Sequence, residues 1–186
     1  MENLGTEFTR ILAISTVLGN LSVLMLIVLW IFARSSFERI MDVVGEKALL
    51  IGFLISTAST VGSLIYSEVV GFPACILCWI QRIFMYPQMF MFGLALLRRE
   101  HLVVPYLFLL SIIGGVVALY QWIKDMLLWY GETTLPCPAV VGLPPCDRLY
   151  VQEFGYVTIP MIALNAFILL AIVMWASMRK SKKESA

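Results

Sequence analysis

Four cysteines stand in two pairs whose spacing suits chemistry. Cys75-Ile76-Leu77-Cys78 is a C-x-x-C, short enough to form a disulfide in a tight turn or at a helix start. Cys137 and Cys146 are separated by eight intervening residues in Leu135-Pro136-Cys137-Pro138-Ala139-Val140-Val141-Gly142-Leu143-Pro144-Pro145-Cys146, where four prolines and a glycine deny the backbone a regular element. An even count fits two structural disulfides, four metal thiolates or one redox circuit. Structural four-cysteine zinc sites usually join two short knuckles, so the eight-residue spacing points away from a metal. A C-x-x-C where a helix begins is suited to thiol exchange, because the partial positive charge at a helix N-terminus favours the thiolate. Cys78, nearer the helix proper, is expected to feel this more than Cys75. The loop pair is open to two readings, a permanent clip or an accessible bridge that a soluble thiol protein attacks.

Arg82 follows Cys78 by four residues, which on a helix puts it on the same face and about 6 Å deeper. Of the 13 Lys and Arg residues it alone falls inside a long apolar stretch. An arginine there costs about 3 kcal/mol unless it snorkels or meets a polar partner. One reading is an interfacial arginine reaching for headgroups. The sharper one is a guanidinium that stabilises the Cys78 thiolate and donates to a carbonyl of a membrane-soluble electron acceptor. Trp79, Phe84, Met85, Tyr86, Met89, Phe90 and Met91 around it either face lipid or wall a pocket for a flat ring, and Pro87 is expected to kink the helix. The single histidine, His101, falls on the opposite side of the membrane from the cysteines, so a redox circuit here runs on thiols and an external cofactor.

These groups must be positioned by membrane helices. The chain has 186 residues, 61% hydrophobic and 13% charged, with a mean hydropathy of +0.92; a soluble domain carries about twice that charge. Formal net charge is +1, which offers no grip on nucleic acid. Crossing about 30 Å of hydrocarbon takes about 20 apolar residues. Residues 11–33, 48–70, 79–97, 102–123 and 157–178 meet this, and each is expected to be helical because hydrocarbon offers no partner to an unpaired backbone group. The first stretch is too long for a signal-peptide core and is followed by Arg34-Ser35-Ser36 in place of a small-x-small cleavage site, so it reads as a retained span. Arg34, Arg39, Lys47, Arg98, Arg99, Arg179, Lys180, Lys182 and Lys183 share one side, against Arg10, Lys124 and Arg148 on the other. The basic side is cytoplasmic, which places the N-terminus and all four cysteines outside, where disulfides persist.

The stretch from Leu64 to Pro87, with its C-x-L-C-x-x-x-R core, resembles the disulfide bond formation proteins of the DsbB/BdbC family, especially the BdbC-like branch. So does Phe154-Gly155-Tyr156-Val157-Thr158-Ile159-Pro160, which carries G-x-x-T-I-P. The vitamin K epoxide reductase family builds a similar four-helix site, but there the C-x-x-C follows the loop cysteines and here it precedes them. The resemblance implies an all-α integral membrane protein of the bacterial plasma membrane, with a four-helix redox domain over 47–178. An extra N-terminal span and link fill 1–46, without counterpart in the family core, and a basic cytoplasmic tail fills 179–186. It implies an enzyme that reoxidises a DsbA/BdbD-like thioredoxin-fold thiol oxidase and passes the electrons to ubiquinone or menaquinone. Carried over by residue, Cys137 is attacked by the partner, Cys146 passes electrons to Cys75, and Cys78 reduces a quinone that Arg82 binds. The rival readings are a membrane scaffold with two structural disulfides, and a thiol reductant or redox sensor.

Overall fold

A computed structural model describes residues 2–132, 135–137, 140–146 and 148–184. Pro138 and Ala139 of the cysteine loop, and Ser185 and Ala186 of the basic tail, lie outside the described residues. The described chain is helical: α1 (Glu2–Phe32), α2 (Arg34–Glu46), α3 (Ala48–Leu64), α4 (Ile76–Arg98), α5 (Val104–Trp129) and α6 (Ile159–Glu184). A π-helical turn, Ile65–Val69, continues α3. Among the described residues there is no strand, only an isolated bridge between Glu153 and Val157.

Four helical stretches are long and apolar enough to cross a membrane, Gly5–Phe32, Ala48–Val69, Val104–Trp129 and Ile159–Lys183. α4 has the length, at 23 residues, but is not among the four. Gln81, Arg82 and Gln88 lower its hydropathy, and the first two of these stand beside the cysteines. The helix runs through Pro87, and Gln88 Nε2 donates to the Phe84 carbonyl at 2.9 Å one turn back.

α3, α4, α5 and α6 close a four-helix ring, and α1 and α2 pack outside it on α6. Without water to drive helices together, close fit between small and large residues carries the packing. A Cβ at Gly52 would stand 2.4 Å from the Phe92 ring, and one at Gly114 would stand 2.4 Å from the Phe167 ring. Phe92 and Phe167 are accordingly buried in the core with Leu107, Leu170 and Met174.

The link between the first two apolar stretches is itself a helix. α2 buries Phe37 and Met41 against Ala176 of α6. The adjoining stripe, Glu38, Asp42 and Glu46, meets Arg179, Lys183 and Lys180 of α6 at 2.7, 3.0 and 3.3 Å. Each such pair is worth about 0–1 kcal/mol. A 13-residue segment with so many charges does not read as a membrane span, although Phe37, Ile40, Met41 and Val44 recur at the spacing of an amphipathic helix.

Candidate functional site

Gly71, at φ 82, turns the chain after the π-helical turn, and the link through Pro73 brings Cys75 to the N-cap of α4 with extended backbone. Cys75 is buried and Cys78 partly buried, both as thiols, with their sulfurs 3.2 Å apart. Gln121 of α5 faces both. Its Nε2 donates to Cys75 Sγ at 3.5 Å and to Cys78 Sγ at 3.4 Å. Gln81 Nε2 in turn donates to Gln121 Oε1 at 2.7 Å, which fixes the orientation of that amide. Two glutamines buried within apolar helices thus serve the sulfurs, and neither was among the site residues expected from the sequence. The available signal was their cost: an amide inside a bundle is expensive unless it has a partner.

The thiol favoured for ionisation is Cys75, the reverse of the expectation that Cys78 would feel the helix terminus more. The Cys78 thiol, donating to it, brings Cys75 down to about 6, with smaller help from the Leu77 and Cys78 backbone amides and Gln121, against the opposing effect of burial. The cause lies in the close pair itself: of two sulfurs 3.2 Å apart one donates and the other accepts, and the accepting sulfur carries the charge more easily.

Arg82 does not snorkel. Its Nε donates to Ser63 Oγ at 3.0 Å and its Nη2 to the Ser63 carbonyl at 3.2 Å. Tyr86 OH shares the same serine at 3.3 Å, and the Trp79 ring lies 5.1 Å from the guanidinium carbon. The side chain expected to stabilise the Cys78 thiolate is thus bonded to α3, and it is Gln121 that donates to the sulfur.

Cys137 and Cys146 form a disulfide, with Cα atoms 6.2 Å apart. Cys146 is buried in one cluster with Cys75 and Leu77, and Cys137 is partly buried beside it. Tyr120 OH donates to the Pro136 carbonyl, and Lys124 Nζ donates to the Cys146 carbonyl at 2.7 Å. Lys124 and Asp125 were expected in a loop beyond a span ending at 123. Instead α5 continues to Trp129, and both are buried beneath the cysteine loop. A cavity of about 340 Å³ joins these parts: Cys75, Cys78, Arg82, Gln121 and Cys146 all line it.

The family model described as "Disulfide bond formation protein DsbB" matches residues 45–177. The chain belongs to the DsbB family. "Probable disulfide formation protein C 1" of Bacillus anthracis is 35% identical over 127 residues, covering 68% of this chain and 88% of that protein. "Disulfide bond formation protein C" of Bacillus subtilis (strain 168) is 34% identical over 126 residues, with the same coverage. "Probable disulfide formation protein" of Oceanobacillus iheyensis is 32% identical over 141 residues, covering 75% of this chain and 94% of that protein. No solved structure matches. As a DsbB-family member with several apolar helices of membrane-spanning length, the chain is a multi-pass membrane protein. Its relatives are disulfide formation proteins, so the class of chemistry is thiol oxidoreduction.

Proposed function

We propose that this protein reoxidises an extracytoplasmic, DsbA/BdbD-like thioredoxin-fold thiol oxidase and delivers the electrons to a membrane quinone. α1, α3, α4, α5 and α6 each cross the membrane, N-terminus outside and C-terminus in the cytoplasm, with the redox domain over 47–178. The nine-to-three distribution of basic residues supports this orientation.

The observation that carries the reading is the shared cavity, in which the loop disulfide's Cys146 and the α4 cysteines meet beside Arg82. A thiolate of the partner attacks Cys137, displacing Cys146; the partner's second thiol then resolves the mixed disulfide. The partner leaves oxidised, and Cys137 and Cys146 are left as thiols. Those two thiols reduce a Cys75–Cys78 disulfide. The Cys75 and Cys78 thiols finally give two electrons and two protons to the quinone, which departs as quinol while their disulfide re-forms. A quinone is the exchanging acceptor this chemistry needs, and the residues present fit it. A guanidinium anchored by Ser63 lines an otherwise mainly apolar pocket next to Cys78, where it would hold a ring carbonyl of the acceptor and favour negative charge on that oxygen.

The test is reconstitution in lipid vesicles with a reduced thioredoxin-fold protein and ubiquinone or menaquinone, following quinone absorbance. One quinol per dithiol consumed is expected. A protein whose thiols exchange with the partner without any quinone reduction contradicts the reading.

A further inference from the structure

The matched family region begins at residue 45, so α1 lies outside it. Yet Leu12, Ser15 and Thr16 of α1 line the same cavity as Cys75, Cys78 and Arg82. The docking of α1 is specific. Asn165 Nδ2 of α6 donates to Asn20 Oδ1 at 2.7 Å, and Gly19 lies so close to Asn165 that a Cβ there would stand 2.3 Å from its Oδ1. Nearer the cysteines, Phe8 packs edge-on against Tyr66, ring centroids 5.4 Å apart, and Tyr66 OH donates to Thr9 Oγ1 at 3.3 Å. Leu12 rests over Gly62 of α3, its Cδ1 3.7 Å from where a Cβ would be. α1 therefore touches both α3 and α6 at the level of the cavity. Its other faces are apolar and exposed, with Ile11, Ile14, Leu18, Leu21 and Leu24 about half accessible or more. That is the surface of a helix with lipid on one side and the cavity on the other.

We infer that α1 is the lateral wall of the electron-acceptor pocket, closing the seam between α3 and α6 so that Leu12 and Thr16 help set which acceptor enters and how it is held. This deepens the quinone reading and rests on it for the identity of the acceptor; the geometry of the wall does not depend on it.

Two readouts separate the two claims. The full chain in vesicles, with its α4 cysteines reduced, is treated with N-dodecyl maleimide, and alkylation of Cys78 is followed by peptide mass. Leu12→Trp and Thr16→Trp, which push bulk into the cavity from α1, are expected to slow this alkylation about tenfold, while Leu21→Trp on the lipid-facing side leaves it unchanged. Retained exchange of the Cys137–Cys146 disulfide with a reduced thioredoxin-fold protein identifies variants that have folded, and if Thr16→Trp fails this check Leu12→Trp decides. In the same variants, KM for decyl-ubiquinone is expected to rise about tenfold with little change in that exchange. Unchanged Cys78 alkylation in the folded wall variants overturns the inference, whether or not quinone is reduced. Slowed alkylation in a protein that reduces no quinone keeps the wall and refutes the acceptor.

Discussion

The two cysteine pairs are built on opposite plans. Cys75 and Cys78 stand where a regular helix begins, their sulfurs held by a glutamine that is itself held by a second glutamine. Cys137 and Cys146 lie in a proline-rich loop fastened at two points, by Tyr120 to the Pro136 carbonyl and by Lys124 to the Cys146 carbonyl. Each pair has one buried and one partly buried cysteine, Cys75 with Cys78 and Cys146 with Cys137; what differs is what holds them, side-chain amides on the sulfurs of one pair and contacts to the loop backbone at the other. Exchange with another protein needs access, whereas transfer to a membrane-soluble acceptor needs donors already in place and water kept out. The proposed division of labour, one pair meeting a partner and the other an acceptor, rests on the second of these needs: side-chain donors stand on the sulfurs of Cys75 and Cys78.

The largest effect should come from breaking one side of that contrast. Arg82→Gln removes the charged donor and leaves a shorter, neutral amide. A hydrogen bond from a charged group is worth about 1.5–3 kcal/mol, so KM for quinone should rise about tenfold to a hundredfold, while single-turnover exchange at the loop disulfide stays as it was. Steady-state kinetics at varied quinone would check this.

Gln121→Leu should have a smaller effect, and only on the inner pair. The amide donates to the thiolate more strongly than to the thiol, so its loss destabilises the charged form. In the unsubstituted protein with the loop pair oxidised, thiolate absorbance at 240 nm should appear with a midpoint near 6 for Cys75. The charged form is the deprotonated one, so absorbance rises with pH, and the substitution should move the midpoint upward. Lys124→Met tests the outer pair. It strips the Cys146 carbonyl of its charged donor and should speed reduction of the loop disulfide by dithiothreitol severalfold while leaving the thiolate titration of Cys75 in place. The smallest effect is expected from Ser63→Ala. It removes a neutral hydroxyl from Arg82 but leaves the backbone carbonyl that accepts from Nη2, a loss of about 1 kcal/mol seen as a slight rise in quinone KM.

The helical class and the stretches of α1, α3, α5 and α6 were legible because long apolar runs have few physical solutions. The C-x-x-C and Arg82 were legible because a cationic residue inside such a run demands a reason. α2 carries a helical period of its own in Phe37, Ile40, Met41 and Val44, but where it docks follows only from the pairing of its acids with Arg179, Lys180 and Lys183 of α6. Lys124 and Asp125 looked like loop residues because charge ordinarily ends a span, and no local pattern announced that the cysteine loop would fold over them. Gln121 is 43 residues from Cys78 in sequence, so its contact with the sulfurs follows from the packing of α5 on α4. The order of acidity within the C-x-x-C turns on which of two sulfurs 3.2 Å apart donates to the other, which spacing alone does not set.

The central claim is that the two pairs work in series, with the loop pair receiving electrons before Cys75 and Cys78. The direct measurement uses Cys75→Ser protein in vesicles with quinone, mixed with a reduced thioredoxin-fold partner, and reads the redox state of Cys137 and Cys146 alongside quinone absorbance. The account predicts that the loop disulfide becomes reduced and stays reduced while the quinone remains oxidised. Continued quinol formation in this variant, or a loop disulfide that stays intact while the unsubstituted protein oxidises the partner, would contradict it.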